Sequence, residues 1–208
     1  MRLDFSSDYI TDTALLDEQH RQVYATTSSA FGRRTEVLKF DFGTSSPSNL
    51  ATMKFHDWSR DTITMDGQEL DAKNYLTKPS WISSRRVLTA TNDTMYAWES
   101  AGDTWTLSLL DGAEVGRSHS RSLGLTGPDK HPQYLEFSDD PRVLKNLDEL
   151  IVTYVYLRIR QERKQRRRRH GAMARKSNST PAAVNNLNVF QGGVPSSGGL
   201  GTMVGGVS

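Results

Sequence analysis

The sequence predicts a mostly-β domain, a closed or nearly closed antiparallel β-barrel or sandwich around one C-terminal apolar α-helix, followed by a disordered tail. Three observations predict it. Short apolar-alternating runs separated by turn residues fill residues 1 to about 138, the pattern of antiparallel strands. The pattern then changes to a capped segment whose second half is apolar on every side. From residue 177 onward the chain has no charge and is rich in Gly, Ser and Asn, a composition that cannot bury enough apolar area to offset its ordering entropy. The expected organisation is one domain over 1–170, with its helix at about 141–168, and an unstructured tail over 171–208.

The strands come first. Arg34-Thr35-Glu36-Val37-Leu38-Lys39-Phe40 and Ala51-Thr52-Met53-Lys54-Phe55-His56 place apolar residues at roughly every second position, so each presents one apolar face. Thr62-Ile63-Thr64-Met65 leads into Asp66-Gly67, and Leu107-Ser108-Leu109-Leu110 leads into Asp111-Gly112. Asp-Gly between such runs predicts a hairpin, because both residues tolerate positive φ. Val87-Leu88-Thr89-Ala90 and Met95-Tyr96-Ala97-Trp98 pair around Thr91-Asn92-Asp93-Thr94, and Tyr134-Leu135-Glu136-Phe137 closes the series. About nine to eleven strands are expected on this pattern.

Ser138-Asp139-Asp140-Pro141 starts the helix: Asp140 caps free amides and Pro141 suits the first helical position. From Leu150 to Leu157 only Thr153 interrupts the apolar residues. A helix that is apolar all round is buried on every side or crosses a membrane. This stretch falls well short of the about 18 residues that a crossing needs, so burial inside an enclosing sheet is expected. The central contact is assigned to Leu144, Leu147, Ile151, Tyr154 and Val155. The β propensity of Val and Tyr also allows a strand here, but the cap and the charged stretch Arg158–Arg169 favour the helix.

With 36% hydrophobic and 24% charged residues the chain has a globular balance. It has no cysteine, which excludes a disulfide framework, a thiolate zinc site and a cysteine nucleophile, and fits a reducing compartment. Met1-Arg2-Leu3-Asp4-Phe5-Ser6 offers acid and hydroxyl groups where a signal peptide needs an apolar run. The expected location is therefore intracellular, whether cytoplasmic, peripheral to a membrane or nuclear. Two Asn-x-Ser/Thr sequons, at Asn92 and Asn178, read as chance matches in that setting.

The net charge of +2 hides an asymmetry. Residues 1–157 carry 16 Lys/Arg against 23 Asp/Glu, a balance of −7, whereas residues 158–208 carry 10 against one, a balance of +9. Such a split assigns any polyanion contact to the extension.

Leu3-Asp4-Phe5-Ser6, Met95-Tyr96-Ala97-Trp98 and Leu147-Asp148-Glu149-Leu150-Ile151-Val152-Thr153-Tyr154-Val155-Tyr156-Leu157 before a basic run resemble an uncharacterised fungal, basidiomycete-type family known only as a domain of unknown function. The resemblance covers about residues 1–170 and is most specific in the helix. More distantly, a β-rich body ending in a buried apolar helix is similar to the tubby, phospholipid-scramblase and LURP-one-related superfamily. That likeness implies a closed antiparallel barrel around a C-terminal helix. The chain departs from the tubby pattern by continuing past the helix, and it has no scramblase-type calcium motif, so architecture carries over better than activity.

Catalytic and metal-binding sets do not assemble. His20, His56, His119, His131 and His170 have no ligand spacing among themselves or with carboxylates. No Gly-x-Ser-x-Gly elbow is present, and Ser118 and His119, as strand neighbours, point to opposite faces. No glycine-rich turn precedes a Lys-Ser/Thr pair. No enzyme activity, metal or cofactor is expected.

Two basic features remain. Arg117, His119 and Arg121 would share one strand face as a short phosphate-binding stripe, although charged outer faces are common on solvated strands. The second is the run after the helix, in which Arg163, Lys164, Arg166, Arg167, Arg168 and Arg169 are the candidate polyanion-binding residues. Such a run gains about 1 kcal/mol per cation at an anionic leaflet. It equally suits a nuclear localisation signal or nucleic-acid phosphates. No aromatic residue interleaves it, which disfavours nucleic acid because base stacking is not offered. The expected function is a non-enzymatic module that binds anionic phospholipid peripherally, with a nuclear or nucleic-acid-associated protein as the alternative.

Overall fold

A computed structural model describes residues 1–29, 32–41, 43, 46–123 and 130–178. It divides the chain into two compact units, Met1–Arg167 and Arg168–Ser208. In the first unit the leading strands are β1 (Arg2–Phe5), β2 (Thr13–Leu16), β3 (Gln22–Ser28), β4 (Arg34–Lys39), β5 (Ser48–Lys54), β6 (Thr62–Met65) and β7 (Gln68–Asp71). A four-residue helix, α1 (Ala72–Tyr75), leads to β8 (Leu76–Thr77), β9 (Arg86–Thr89), β10 (Met95–Ala101), β11 (Thr104–Leu109) and β12 (Glu114–His119). The short pair β13 (Ser122–Leu123) and β14 (Lys130–His131) precedes β15 (Tyr134–Phe137), α2 (Pro141–Lys145) and α3 (Leu147–Asn178).

Thirteen strands form one antiparallel sheet in the order β7-β6-β5-β4-β3-β2-β1-β15-β12-β11-β10-β9-β8, and β13 and β14 pair separately. The fold is thus mostly β with a C-terminal helix, as the sequence predicts, but the strands are more numerous than expected. Strands of two to four residues, such as β7, β8, β13 and β14, are too short to show alternation. Because thirteen is odd, the two edge strands run in the same direction, and sealing the sheet would need a parallel pair. The hydrogen-bonded order stays open, and α1 alone separates the two edges along the chain.

Turn chemistry fixes the register. Asp66 and Gly67 take φ of 48° and 77°, the two-residue turn that matches strand twist, and Met65 pairs with Gln68 across it. At Asp111-Gly112 only the glycine is positive, at 93°, and the register between β11 and β12 shifts. Gly116 meets a different need. A Cβ there would lie 2.9 Å from the Phe137 ring and 3.1 Å from the Glu136 carbonyl, so only glycine lets β15 pack this closely on β12.

The expected single helix is two. Asp140 caps α2, its Oδ1 accepting from the Arg142 amide at 2.8 Å, with Pro141 in the first turn. Asn146 then breaks the path, because its side chain has better partners than a helix interior offers: Nδ2 donates to the Tyr96 hydroxyl at 2.8 Å and the Arg142 carbonyl at 2.9 Å. The break turns Leu144 outward to 45% exposure, which removes it from the expected central contact. Leu147 packs at the core's edge, and Ile151, Tyr154 and Val155 are fully buried. α3 continues to Asn178, beyond the expected end near 168, and the tail expected from 171 otherwise falls outside the described residues. No described helix is long and apolar enough to cross a membrane.

Every residue from Leu150 to Leu157 is buried. Thr153, the one polar side chain among them, is satisfied: its Oγ1 accepts from the Trp98 indole at 3.1 Å and donates to the Leu150 carbonyl at 3.0 Å. Trp98 and Phe5 flank Tyr154 at 5.6 and 6.2 Å between ring centroids, and Phe55 stacks on Tyr156 at 5.7 Å. These rings come from β10, β1 and the end of β5, so widely separated parts of the sheet all supply the helix with surface.

Ile151→Asp should leave no cooperative unfolding transition, and Ile151→Ala should cost about 2–5 kcal/mol in urea denaturation. Leu144→Asp should stay within about 0.5 kcal/mol of the parent. Gly116→Ala should cost about 1–3 kcal/mol through overpacking, and Phe137→Leu in the same chain should recover part of that loss.

Candidate functional site

Strand direction sorts the connections to two ends of the sheet. β2–β3, β6–β7, β9–β10, β11–β12 and β15–α2 lie at the end where α3 starts; β1–β2, β3–β4, β5–β6, β8–β9 and β10–β11 lie where α3 leaves. The starting end is acidic at its surface, with exposed Glu18, Asp66, Asp93, Asp111 and Asp139.

Two carboxylates seat the helix at that end. Asp148 accepts from the Tyr24 hydroxyl at 2.6 Å and from Lys39 Nζ at 2.7 Å. Glu149, buried, accepts from the Tyr75 hydroxyl at 2.5 Å and from the Thr91 amide at 3.1 Å. Burial, then the adjoining carboxylate, pushes both tyrosine hydroxyls far above the ordinary tyrosine range, so both remain proton donors. Acids in the first turn also suit the helix dipole.

The exit end is built on cations. Asp61, 6% exposed, accepts from the His56 amide at 2.9 Å and the Tyr156 hydroxyl at 3.1 Å, and pairs with Arg160 at 3.0 Å. Trp105 Nε1 donates to Gln161 Oε1 at 2.7 Å, and Gln161 Nε2 donates to the Gly102 carbonyl at 2.6 Å. Arg163 donates to the Gly32 carbonyl at 2.9 Å and lies 5.3 Å from the Phe55 ring centroid. These contacts tie three connections, β3–β4, β5–β6 and β10–β11, to the helix as it emerges.

The six cations chosen from the sequence are not equivalent. Arg163 and Arg167 both engage Asp57, and Arg166 stands 3.9 Å from Glu162. Lys164 is exposed. Arg168 and Arg169, also exposed, belong to the second unit. Glu162 faces Arg158 as well, at 3.5 Å, and burial holds its carboxyl above the usual carboxylate range.

Arg117, His119 and Arg121 each face a carboxylate. Arg117 makes two 2.7 Å bonds to Glu114, which lower the Glu114 pKa and raise that of Arg117. His119 stacks on Tyr134 at 4.2 Å and lies 3.3 Å from Glu136. Arg121, past the end of β12, reaches Asp8 at 2.6 Å. Beside that pair a cleft of about 430 Å³ is lined by Ser6, Ser7, Asp8, Arg121, Lys130 and His131. Among the described residues no group of three or more His, Asp or Glu is placed to hold a metal ion.

The sequence missed the loop contribution. Arg60, in the β5–β6 connection, pairs with Asp71 at 2.8 Å. Arg85 and Arg86 stand at the start of β9 at the same end, and burial lowers the Arg86 pKa. Nothing local marks these residues as neighbours of α3, since sheet topology alone brings them there.

A family model matches residues 8–166, and its description is a family of unknown function, DUF6593. The chain belongs to this family. The matched span takes in nearly all of the DUF6593 sheet and α3 as far as Arg166. Neither the curated proteins nor the solved structures gave a match. The site in this DUF6593 chain is therefore read from its own geometry.

Asp61→Ala should destabilise the domain by about 3 kcal/mol, at the low end for a broken buried pair because Arg160 reaches solvent. Asp61→Asn should cost less, since its Oδ1 still accepts from the His56 amide and its Nδ2 can donate to the Tyr156 hydroxyl oxygen. Thermal unfolding of the two variants side by side measures the difference.

Proposed function

We propose that the protein is a non-enzymatic binding module that docks peripherally on anionic phospholipid. The docking surface is the exit end of α3, with Lys164 and Arg166 joined by Arg60, Arg85 and Arg86. The observation that carries the reading is charge polarity along α3: exposed acids at its start and a concentration of cations at its exit. Such a polarity turns the molecule to present one end to a negative surface, and each cation there gains about 1 kcal/mol at the leaflet. A location at the cytoplasmic side of a membrane accompanies this reading.

The finer architectural reading is a tubby-like barrel closed around α3. Its support is that α1 alone links the two edge strands, while side chains from both halves of the sheet meet the helix. A second functional reading, a localisation signal for a nuclear partner, rests on exposed Lys164, Arg166, Arg168 and Arg169. It predicts nuclear accumulation of a reporter fused to residues 158–176.

The test is co-sedimentation with phosphatidylcholine vesicles, with and without phosphatidylserine, at low and physiological salt. Binding should require the anionic lipid and weaken as salt rises. Reversing Lys164 and Arg166 to Glu should weaken it about tenfold or more. Equal sedimentation with neutral vesicles, or none with either, defeats the reading.

A further inference from the structure

Among the described residues the exit end also carries the most exposed large apolar side chains. Trp58, in the β5–β6 connection, is 101% exposed; Trp81 and Ile82, in the β8–β9 connection, are 84% and 75% exposed. Among the described residues the starting end offers only Met95, Leu110 and Leu144, at 39–48%. The other two tryptophans, Trp98 and Trp105, are 0% and 5% exposed and hold the helix through their indole N–H groups. The tryptophans thus fall into two groups, with one pair building the core and the other projecting from two loops at one end.

The surroundings of the projecting pair are cationic. Asp57, the acid next to Trp58, is engaged by Arg163 and Arg167, and Arg60 follows two residues later. Lys78 donates to the Trp81 carbonyl, and Arg85 and Arg86 follow Ile82. The β8–β9 loop is held by its own serines: the Ser83 amide donates to the Ser80 carbonyl at 3.1 Å, and the Arg85 amide to Ser83 Oγ at 2.9 Å. It keeps Trp81 and Ile82 at its tip without packing them on the domain. Tyr9, 65% exposed at the same end, lies between Asp8 and Asp12, whose charges oppose approach to an anionic surface.

Indole rings partition to the membrane–water boundary, where the ring meets the acyl region and the N–H meets headgroups. Lys and Arg beside them meet lipid phosphates and let their stems follow the rings down. A protein interface has the opposite arrangement, with charge depleted around its apolar core. We infer that Trp58, Trp81 and Ile82 are a membrane-inserting tip, seated in the headgroup–acyl boundary of an anionic leaflet while Arg60, Lys78, Arg85 and the α3 cations hold its phosphates. This inference rests on the anionic-lipid reading and adds an insertion step, with α3 pointing its exit end at the bilayer.

The buried tryptophans make the test internal to the chain. Emission of the full chain should shift to the blue on binding phosphatidylserine vesicles, and lipids brominated near the headgroup end of the acyl chains should quench it. A Trp58→Phe, Trp81→Phe chain, which keeps Trp98 and Trp105, should show neither change. Trp58→Ala, Trp81→Ala and Ile82→Ala together should weaken binding about a hundredfold at constant salt, with the urea midpoint unchanged. Salt-sensitive binding with no quenching, and with equal affinity for the triple variant, overturns insertion and leaves the charge-driven reading standing. No binding to anionic vesicles overturns both. A concentration-dependent dimer that the triple variant abolishes, without lipid quenching, overturns insertion and assigns the tip to a second copy.

Discussion

The apolar surface that Leu150–Leu157 presents on every side cannot be satisfied by any one layer of secondary structure. A sheet packed on one face would leave the opposite face in water, and each large side chain so exposed forfeits about 1.5–3 kcal/mol. The sheet must therefore reach round the segment, which is why Phe5 of β1, Phe55 after β5 and Trp98 of β10 all meet it. Thirteen short strands supply that reach. Their odd number sets both edges running the same way, and α1 links the edge strands β7 and β8 along the chain.

A buried helix has no lateral register of its own, because apolar contacts are non-directional. Polar contacts at three levels supply the missing specificity. Asp148 and Glu149 lock the start against Tyr24, Lys39, Tyr75 and Thr91. Thr153 locks the middle to Trp98. Asp61, Gly102 and Gly32 lock the exit through Tyr156, Gln161 and Arg163. Sliding α3 by one turn would break all three sets at once and leave buried carboxylates unpaired, a far larger cost than the apolar contacts alone would impose.

How much of this was legible follows from the range of each signal. The Asp66-Gly67 hairpin, the Asp140-Pro141 start and the all-round apolar stretch are local patterns with local causes, and each stands where the sequence puts it. The break at Asn146 inside the expected single helix is not legible locally, because this residue leaves the helix only where Tyr96, fifty positions away, offers its hydroxyl. His119 and Arg121 look open in the sequence because Glu136 and Asp8 are remote from them, whereas Glu114, the partner of Arg117, lies only three residues away. Trp58 and Trp81 carried a readable hint, since each sits in a polar, turn-rich segment where alternation has stopped. A tryptophan in such a segment has no apolar face to join, so its exposure could have been expected.

The charge split along the sequence maps onto an axis in space. Acids precede α3 or begin it, cations follow, and the helix carries that order from one end of the sheet to the other. The acids at the start agree with the α3 macrodipole, whereas the exit lies well before the helix end at Asn178, more than a turn from the negative pole, so the dipole does not hold the cations there. Their partners there, Asp57, Asp61 and Glu162, neutralise part of the field and keep the end from repelling itself. A polyanion approaching this end competes with carboxylates already in place at Arg160, Arg163 and Arg167, whereas Lys164 points to solvent. Affinity should therefore come from the outward cations, and the inner ones position the β5–β6 connection that carries Trp58. Glu162 adds a direction to that balance: burial has already raised its pKa, so acidification releases Arg158 and Arg166 before it touches an ordinary surface carboxylate.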